Sequence, residues 1–410
     1  MNGIQINEDV ARQLTREEKE HAARQCPFHA IELDGETLRI GADCRLCGLC
    51  VKGGAPGLFV MEEHADSGTV QKSDWKGVAV YIEFAGGEIH PVSLELLGKA
   101  KELAQKVDFP VYALLIGSET EHAAETLRHY GVDTVYDYDD EALRYFIAKP
   151  YAVVFSRFIG QVKPSSVLIG ATAWGRSLAP RVAARVHAGL TADCTKLDMA
   201  DNTDLIQIRP AFGGNIMAEI RTTNSRPQMA TVRYKIFDAP ERSEMPAGEI
   251  IRCPTKGLDL TDGVRVVSVQ PKRQVPSISE AEIIVAAGRG IQSQKDMALA
   301  QKLADVLHAE LACTRPLVEQ GWVEADRQIG LSGRSVKPKL IFTLGVSGSV
   351  QFKAGMENSE CIISVNQDVD APIFHHAHYA VRGDLYEIVP ALIDLIEKSR
   401  SDEKGGDPYV

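Results

Sequence analysis

Two groups of residues in this chain have the types and spacing to do chemistry. The first is a run of thiols, Cys44-x-x-Cys47-x-x-Cys50, with Cys26-Pro27 upstream. Three thiols in seven residues suit three corners of one iron–sulfur cubane, whereas structural zinc more often pairs C-x-x-C units from two separate places. The second is the turn Gly345-Val346-Ser347-Gly348-Ser349, which follows the apolar run Leu340 to Leu344 and opens a short helical stretch. Unhindered amides and hydroxyls at the start of a helix suit a phosphate. A hydrolase serine is not expected there, because a nucleophile elbow needs G-x-S-x-G and the fifth position is Ser349. His375-His376-x-His378 has no carboxylate at suitable spacing and reads as loop or interface histidines.

The elements that must position these groups fall into three stretches. Around the thiols the pattern is short and mixed. Thr15-x-x-Glu18 reads as a capping box for a helix ending near Arg24, and 30–33 and 37–40 flank Asp34-Gly35 as a hairpin. Residues 66–74 are a polar linker. From Trp75, strands at 78–84, 111–116, 134–136 and 166–170 alternate with helices at 92–107, 120–129 and 140–148. Such βα repeats imply a mainly parallel sheet covered by helices. The stretch 235–278 holds five prolines and predicts a connector or wrapped arm. A second α/β unit follows, with a strand at 282–286, a helix over 296–311, a closing helix at 385–396 and a frayed tail from Ser399. The expected class is α/β: two doubly wound, mainly parallel-sheet domains, 67–272 and 273–410, preceded by a small α+β domain, 1–66.

Composition narrows the setting. The net charge is −11 with no basic run, which argues against nucleic acid and anionic membranes as partners. No apolar stretch approaches the roughly 20 residues of a membrane span, and 1–20 is too polar for a signal peptide. The expected location is the cytoplasm. Four of the eight cysteines stand in the first fifty residues, a distribution that points to a metal site plus buried thiols rather than a disulfide framework.

Gly345 to Gln351 as G-x-S-G-x-x-Q, Ala354-Gly355-Met356, and Asn366-x-Asp368-x-x-Ala371-Pro372-Ile373-Phe374 resemble the C-terminal signature of the electron-transferring flavoprotein α-subunit family. The likeness runs from about Trp75 to Lys398. It implies an FAD site made by Arg289, Thr314, Ile329, Gly330, Leu331, Ser332, Ser347, Gly348, Ser349, Val350, Gln351, Phe352, Asn366, Asp384 and Leu385. The resemblance puts the Ser347 to Ser349 turn on the pyrophosphate, Asn366 and Asp384 at the ribose and adenine end, Ser332 near flavin N5, and Arg315 over the isoalloxazine, where its charge favours reduced flavin. One position departs from the pattern. Phe352 stands where the family usually has a histidine that supports negative charge near the flavin C2 carbonyl. Residues 171–181 and 209–215 resemble the family's first domain and are expected to be structural, the latter closer to the bifurcating branch.

The N-terminal stretch resembles a bacterial two-cluster ferredoxin with one cluster deleted. In such proteins the Cys-Pro cysteine serves the other motif's cluster, which implies one [4Fe–4S] cluster on Cys26, Cys44, Cys47 and Cys50. Together the resemblances imply an oxidoreductase subunit of electron transport. It would form a heterodimer with a β subunit that carries its own FAD and NAD(H) site. Its further partners would be a flavin-dependent dehydrogenase of the lactate or acyl-CoA type and ferredoxin, coupled by flavin-based electron bifurcation or its reverse. A plain electron carrier with a structural cluster and a zinc-stapled, non-redox nucleotide-binding module are the alternatives.

Overall fold

The capping box at Thr15 forms: its side chain takes the Glu18 amide while the Glu18 carboxylate returns to the Thr15 amide. The computed structural model describes residues 3–28, 30–41, 44, 47–62, 70–211, 216–270 and 277–405. They fall into two compact units, Met1–Gln71 and Lys72–Val410. In the first, β1 (Gly3–Ile6), α1 (Glu8–Gln13), α2 (Arg16–Arg24), β2 (Ile31–Asp34), β3 (Thr37–Ile40), α3 (Leu49–Gly53) and β4 (Phe59–Glu62) are all short. β1 pairs antiparallel with β4, and β2 with β3 in the expected hairpin. Ile4, Ala22, Ile31, Leu38, Leu58 and Phe59 make a small core that also takes in Cys26 and Cys50.

The second unit opens with β5 (Val78–Ile82), the miniature hairpin β6 (Phe84–Ala85) and β7 (Glu88–Ile89), α4 (Pro91–Gln105), β8 (Val111–Gly117), α5 (Glu121–Leu127) and β9 (Thr134–Asp139). It continues with α6 (Ala148–Val162), β10 (Ser166–Gly170), α7 (Ala173–Val186) and β11 (Gly189–Cys194). An antiparallel sheet of β12 (Lys196–Met199), β13 (Leu205–Ala211) and β14 (Ile216–Ile220) precedes β15 (Gln228–Val232) and β16 (Glu249–Arg252). The main sheet runs β11-β15-β10-β5-β8-β9-β16, and every neighbouring pair is parallel. Alternation along β5 sends Val78, Val80 and Ile82 into the core under α4 and Ala79 and Tyr81 into the core under α6 and α7.

Two readings of this region need correction. The helix expected at 140–148 is only the turn Glu141–Leu143, and the true helix, α6, begins at Ala148. Pro150 is harmless in a first helical turn, and Tyr151, Val154, Phe155, Phe158 and Ile159 then form one buried face. The expected connector at 235–278 contains β16, which pairs with β9 at the sheet edge. Its four residues lie between Pro246 and Pro254, and an edge strand needs partners on one side only.

A five-stranded sheet closes the unit. It uses β17 (Ile283–Ala287), α8 (Met297–Leu307), β18 (Glu310–Cys313), α9 (Arg315–Glu319), β19 (Leu340–Leu344), α10 (Val350–Lys353), β20 (Cys361–Asn366), β21 (Tyr379–Arg382) and α11 (Leu385–Gly405). The order is β18-β17-β19-β20-β21, again all parallel. α8 stops short of Leu311: His308 turns left-handed at φ +54, and Leu311 pairs with Val285 as part of β18. α11, which contains Pro390, runs past Ile396 because neither Gly nor Pro stands between Ile396 and Gly405. α8 and α11 cover one face with Leu303, Val389 and Ile393. The other face is closed by Ile329, Val336, Phe352, Met356 and Ile373. Among the described residues no helix is long and apolar enough to cross a membrane.

Candidate functional site

In the five-stranded sheet the chain begins next to the edge and then reverses. From β17 it crosses to β18 on one side, and β19, β20 and β21 follow on the other. Crossovers leaving the carboxyl ends of β17 and β19 in opposite directions must open a crevice between them. A cleft of about 680 Å³ is found there, walled by Arg289 and Gly290 after β17, Thr314 and Arg315 after β18, Gly345 to Ser347 after β19, and Asn366 and Asp368 after β20.

Backbone contact shapes its floor. Gly345 has φ +62, and a Cβ on it would stand 2.5 Å from the Gly290 Cα. The Gly290 amide donates to the Gly345 carbonyl at 2.9 Å. Only glycine lets two turns lie this close. Ser349 caps α10 by accepting the Phe352 amide at 3.4 Å. Asn366 donates to the Val346 carbonyl at 2.8 Å and accepts the Asp368 amide at 3.0 Å, so its side chain fastens the β19 turn to the β20 turn. Arg315 pairs with Glu319 at 2.8 Å, both well exposed on the cleft wall. The Thr314 hydroxyl is buried with no partner. Such an orphan group fits a site completed by a ligand.

The cleft gathers Arg289, Thr314, Arg315, Ser347, Ser349, Gln351, Phe352 and Asn366 from the expected set. Gly348 lies in the same turn with its Cα face against Ile373. The stretch from Ile329 to Ser332 supports the wall from behind: Ile329 is in the core, the Leu331 amide donates to the Gln351 carbonyl at 3.0 Å, and Ser332 accepts the Gln328 amide at 2.8 Å. Gly330 packs against that same Gln351 carbonyl. Val350 lines a different cavity. Asp384 and Leu385 are not on the cleft wall. Asp384 accepts the Tyr386 amide at 2.8 Å at the head of α11, and Leu385 is buried in the core. Of the cleft wall, the sequence expectations leave out Gly290, Pro316 and Glu319, while Val346 and Asp368 enter only as members of the turn and loop motifs; Gly290 had a usable signal, since it follows a strand as part of Gly288-Arg289-Gly290.

In the first unit Cys26, Cys44, Cys47 and Cys50 border one small cavity together with Pro27, Ile31 and Ile40. Cys26 and Cys50 are buried while Cys47 is exposed. The Ala30 amide donates to Cys26 Sγ at 3.4 Å. Burial pushes the Cys50 thiol above its ordinary pKa, and the nearby Cys44 and Cys26 add to the shift. Among the described residues no group of three or more His, Cys, Asp or Glu side chains is placed to hold a single metal ion. His378 accepts the Ile362 amide at 3.0 Å.

Residues 78–256 match the electron transfer flavoprotein domain and residues 277–357 the electron transfer flavoprotein FAD-binding domain. The chain is 39% identical over 327 residues to the electron transfer flavoprotein subunit alpha of Thermoanaerobacterium thermosaccharolyticum, 80% of this chain and 99% of that protein. The chain belongs to the electron transfer flavoprotein α-subunit family. As a member it is an oxidoreductase subunit of electron transfer, and the cleft at the β17–β19 crevice lies in its FAD-binding domain. The α subunit of Clostridium acetobutylicum is 40% identical over 336 residues, 81% of this chain and 100% of that protein. Both α subunits are spanned almost whole, yet each leaves about a fifth of this chain without a counterpart. Lactate dehydrogenase (NAD(+),ferredoxin) subunit LctC of Acetobacterium woodii is 50% identical over 397 residues, 97% of this chain and 94% of that protein.

Proposed function

We propose that this α subunit carries single electrons through FAD to a partner dehydrogenase, and that Cys26, Cys44, Cys47 and Cys50 hold one [4Fe–4S] cluster that exchanges electrons with ferredoxin. A β subunit with its own FAD meets NAD(H), and the oxidised or reduced organic substrate is lactate or an acyl-CoA. The three parts of the chain, 1–66, 67–272 and 273–410, are then a ferredoxin-like domain, a scaffold domain and the flavin domain. The observation that carries this reading is the four-thiol cavity in a unit whose sequence is shared with LctC and exceeds the length of plain α subunits. A unit of about 70 residues has little apolar surface to bury, and a metal cluster is a common staple at that size. All eight cysteines are free of disulfides, which suits a cytoplasmic protein.

Bound FAD supplies one-electron chemistry; the chain's residues hold and tune it. The Ser347 to Ser349 turn offers amides and hydroxyls to the pyrophosphate at the head of α10, and the Thr314 hydroxyl gains the partner it lacks. Arg315, free to leave its exposed pair with Glu319, brings positive charge to the isoalloxazine. The test uses the purified complex. Iron and acid-labile sulfide should be present in equal amounts and disappear in Cys47→Ser. Ferredoxin should be reduced by NADH only when an oxidising co-substrate is also supplied. Zinc in place of iron eliminates the cluster, and ferredoxin reduction without the co-substrate eliminates the coupling.

A further inference from the structure

The seven-stranded sheet has a reversal of its own. β5 and β10 lie side by side, with β8 and β9 building outward from one and β15 and β11 from the other. The same topological reasoning therefore applies to the carboxyl ends of β5 and β10. A separate cavity of about 290 Å³ lies there, walled by Thr172 and Ala173 at the head of α7, by Arg176, by Arg233 and Tyr234 beyond β15, and by Arg334.

Three arginines line this space. Asp193 pairs with Arg176 at 3.0 Å and with Arg233 at 3.5 Å, so one carboxylate serves two cations. Arg334 has no carboxylate partner among the described residues; its Nε donates to the Asp326 carbonyl at 2.8 Å. The Arg233 Nε is buried with no partner, while its Nη2 donates to the Leu331 carbonyl at 2.8 Å and the Tyr234 hydroxyl lies close to Glu280. Burial, with the nearby Arg176 and Arg209, works against the Arg233 charge, and Asp193 opposes them. Glu83, buried behind Thr172, accepts its hydroxyl at 2.5 Å, and desolvation pushes its pKa up, towards the neutral form. The balance at the cavity is positive, with a donor group left over, and it sits at the start of a 14-residue helix whose N-terminal end favours anions.

We propose that this cavity is a second ligand site, for a phosphate monoester held by Arg176, Arg233 and Arg334. Guanidinium forks match phosphate oxygens in geometry as well as charge. The site opens at a different sheet from the flavin cleft and shares no lining residue with it, while the loop carrying Arg334 borders both: Arg233 donates to the Leu331 carbonyl at 2.8 Å, and the Leu331 amide donates to the Gln351 carbonyl on the flavin side.

The test titrates the flavin-saturated full chain, with any subunit that co-purifies, with inorganic phosphate, adenosine monophosphate and adenosine by calorimetry at low salt. At least one of the two phosphate probes should bind saturably, adenosine should not, and the flavin spectrum should stay unchanged. Arg176 is 53% exposed, so Arg176→Gln should fold normally and weaken the binding at least about tenfold. Absence of binding by both phosphate probes overturns the site. So does equal binding in parent and variant, equal binding of adenosine, or release of flavin by the probe.

Discussion

The two parallel sheets each form a crevice at a reversal of strand order, and they use glycine there in opposite ways. In the five-stranded sheet Gly290 and Gly345 bring two turns into backbone contact and leave a cleft of about 680 Å³ above them. In the seven-stranded sheet Gly175 lets the first turn of α7 sit down on the end of β10, where a Cβ would overlap the Gly170 carbonyl oxygen. Thr172 then bonds to Glu83, and only about 290 Å³ remains. Strand order decides where a crevice falls; side-chain bulk in the turns decides how far it opens.

The largest effect should come from Gly175→Ala. A methyl group forced against backbone cannot be relieved by a rotamer change, and the variant should lose more than about 3 kcal/mol of stability. Thermal unfolding within a degree or two of the parent would break the packing half of the comparison. Gly345→Ala attacks the other crevice: strain at φ +62 and the approach to Gly290 should weaken FAD binding about a hundredfold, close to 2.8 kcal/mol. Flavin retained through gel filtration at the parent's level would count against it.

Glu95 on α4 offers a pH readout of how the first sheet is joined to the segment beyond β15. It accepts the Lys235 amide at 3.0 Å, and burial raises its pKa from 4.5 to about 7. Between those values the folded protein keeps a proton that the unfolded chain has lost. Stability therefore falls as pH rises through this window, by up to about 3 kcal/mol. Glu95→Gln should match the parent at the acid end and exceed it near pH 8; parallel urea midpoints at both pH values would exclude the assignment.

Smaller changes test the flavin cleft. Phe352 is 4% exposed and packs with Ile329, Val346 and Met356, so Phe352→His should cost roughly 1–2 kcal/mol of stability. If position 352 faces the flavin as its place on the cleft wall implies, the same variant should raise the potential of the first electron, read by spectroelectrochemical titration. Arg315→Gln should alter stability by less than about 0.5 kcal/mol, because its ion pair is exposed. It should still lower the flavin potential by roughly 30 mV, about 1.4 kcal/mol for two electrons. An unchanged potential removes Arg315 from the flavin's surroundings.

Much of the architecture was legible because local signals and tertiary structure agree. The hairpin at Asp34-Gly35, the capping box at Thr15 and the strand before Gly345 all form where the residues place them. Disagreement arose where two patterns competed. Leu311 continues the apolar face of α8 on paper, but the left-handed His308 ends the helix and Leu311 joins a strand. Glu249 to Arg252 is too short to register against its proline-rich flanks, and becomes a strand because β9 offers an open edge. Asp384 and Leu385, expected near the flavin from the family motif, stand at the head of α11, where Asp384 accepts the Tyr386 amide and Leu385 joins the core.

The sequence by itself determined the chemistry available: four thiols close enough in the chain to share a centre, a Gly/Ser turn at a helix start, and an arginine and threonine beside a strand end. Those follow from residue type and short spacing, which hold in any conformation the chain adopts. Tertiary structure alone decided that Gly290 and Gly345, 55 positions apart in the numbering, touch, and that Asn366 fastens one turn to another. It alone also gathered three arginines at a second crevice. These depend on the order in which parallel strands assemble, and that order is fixed by burial across whole sheets rather than by any local run of residues.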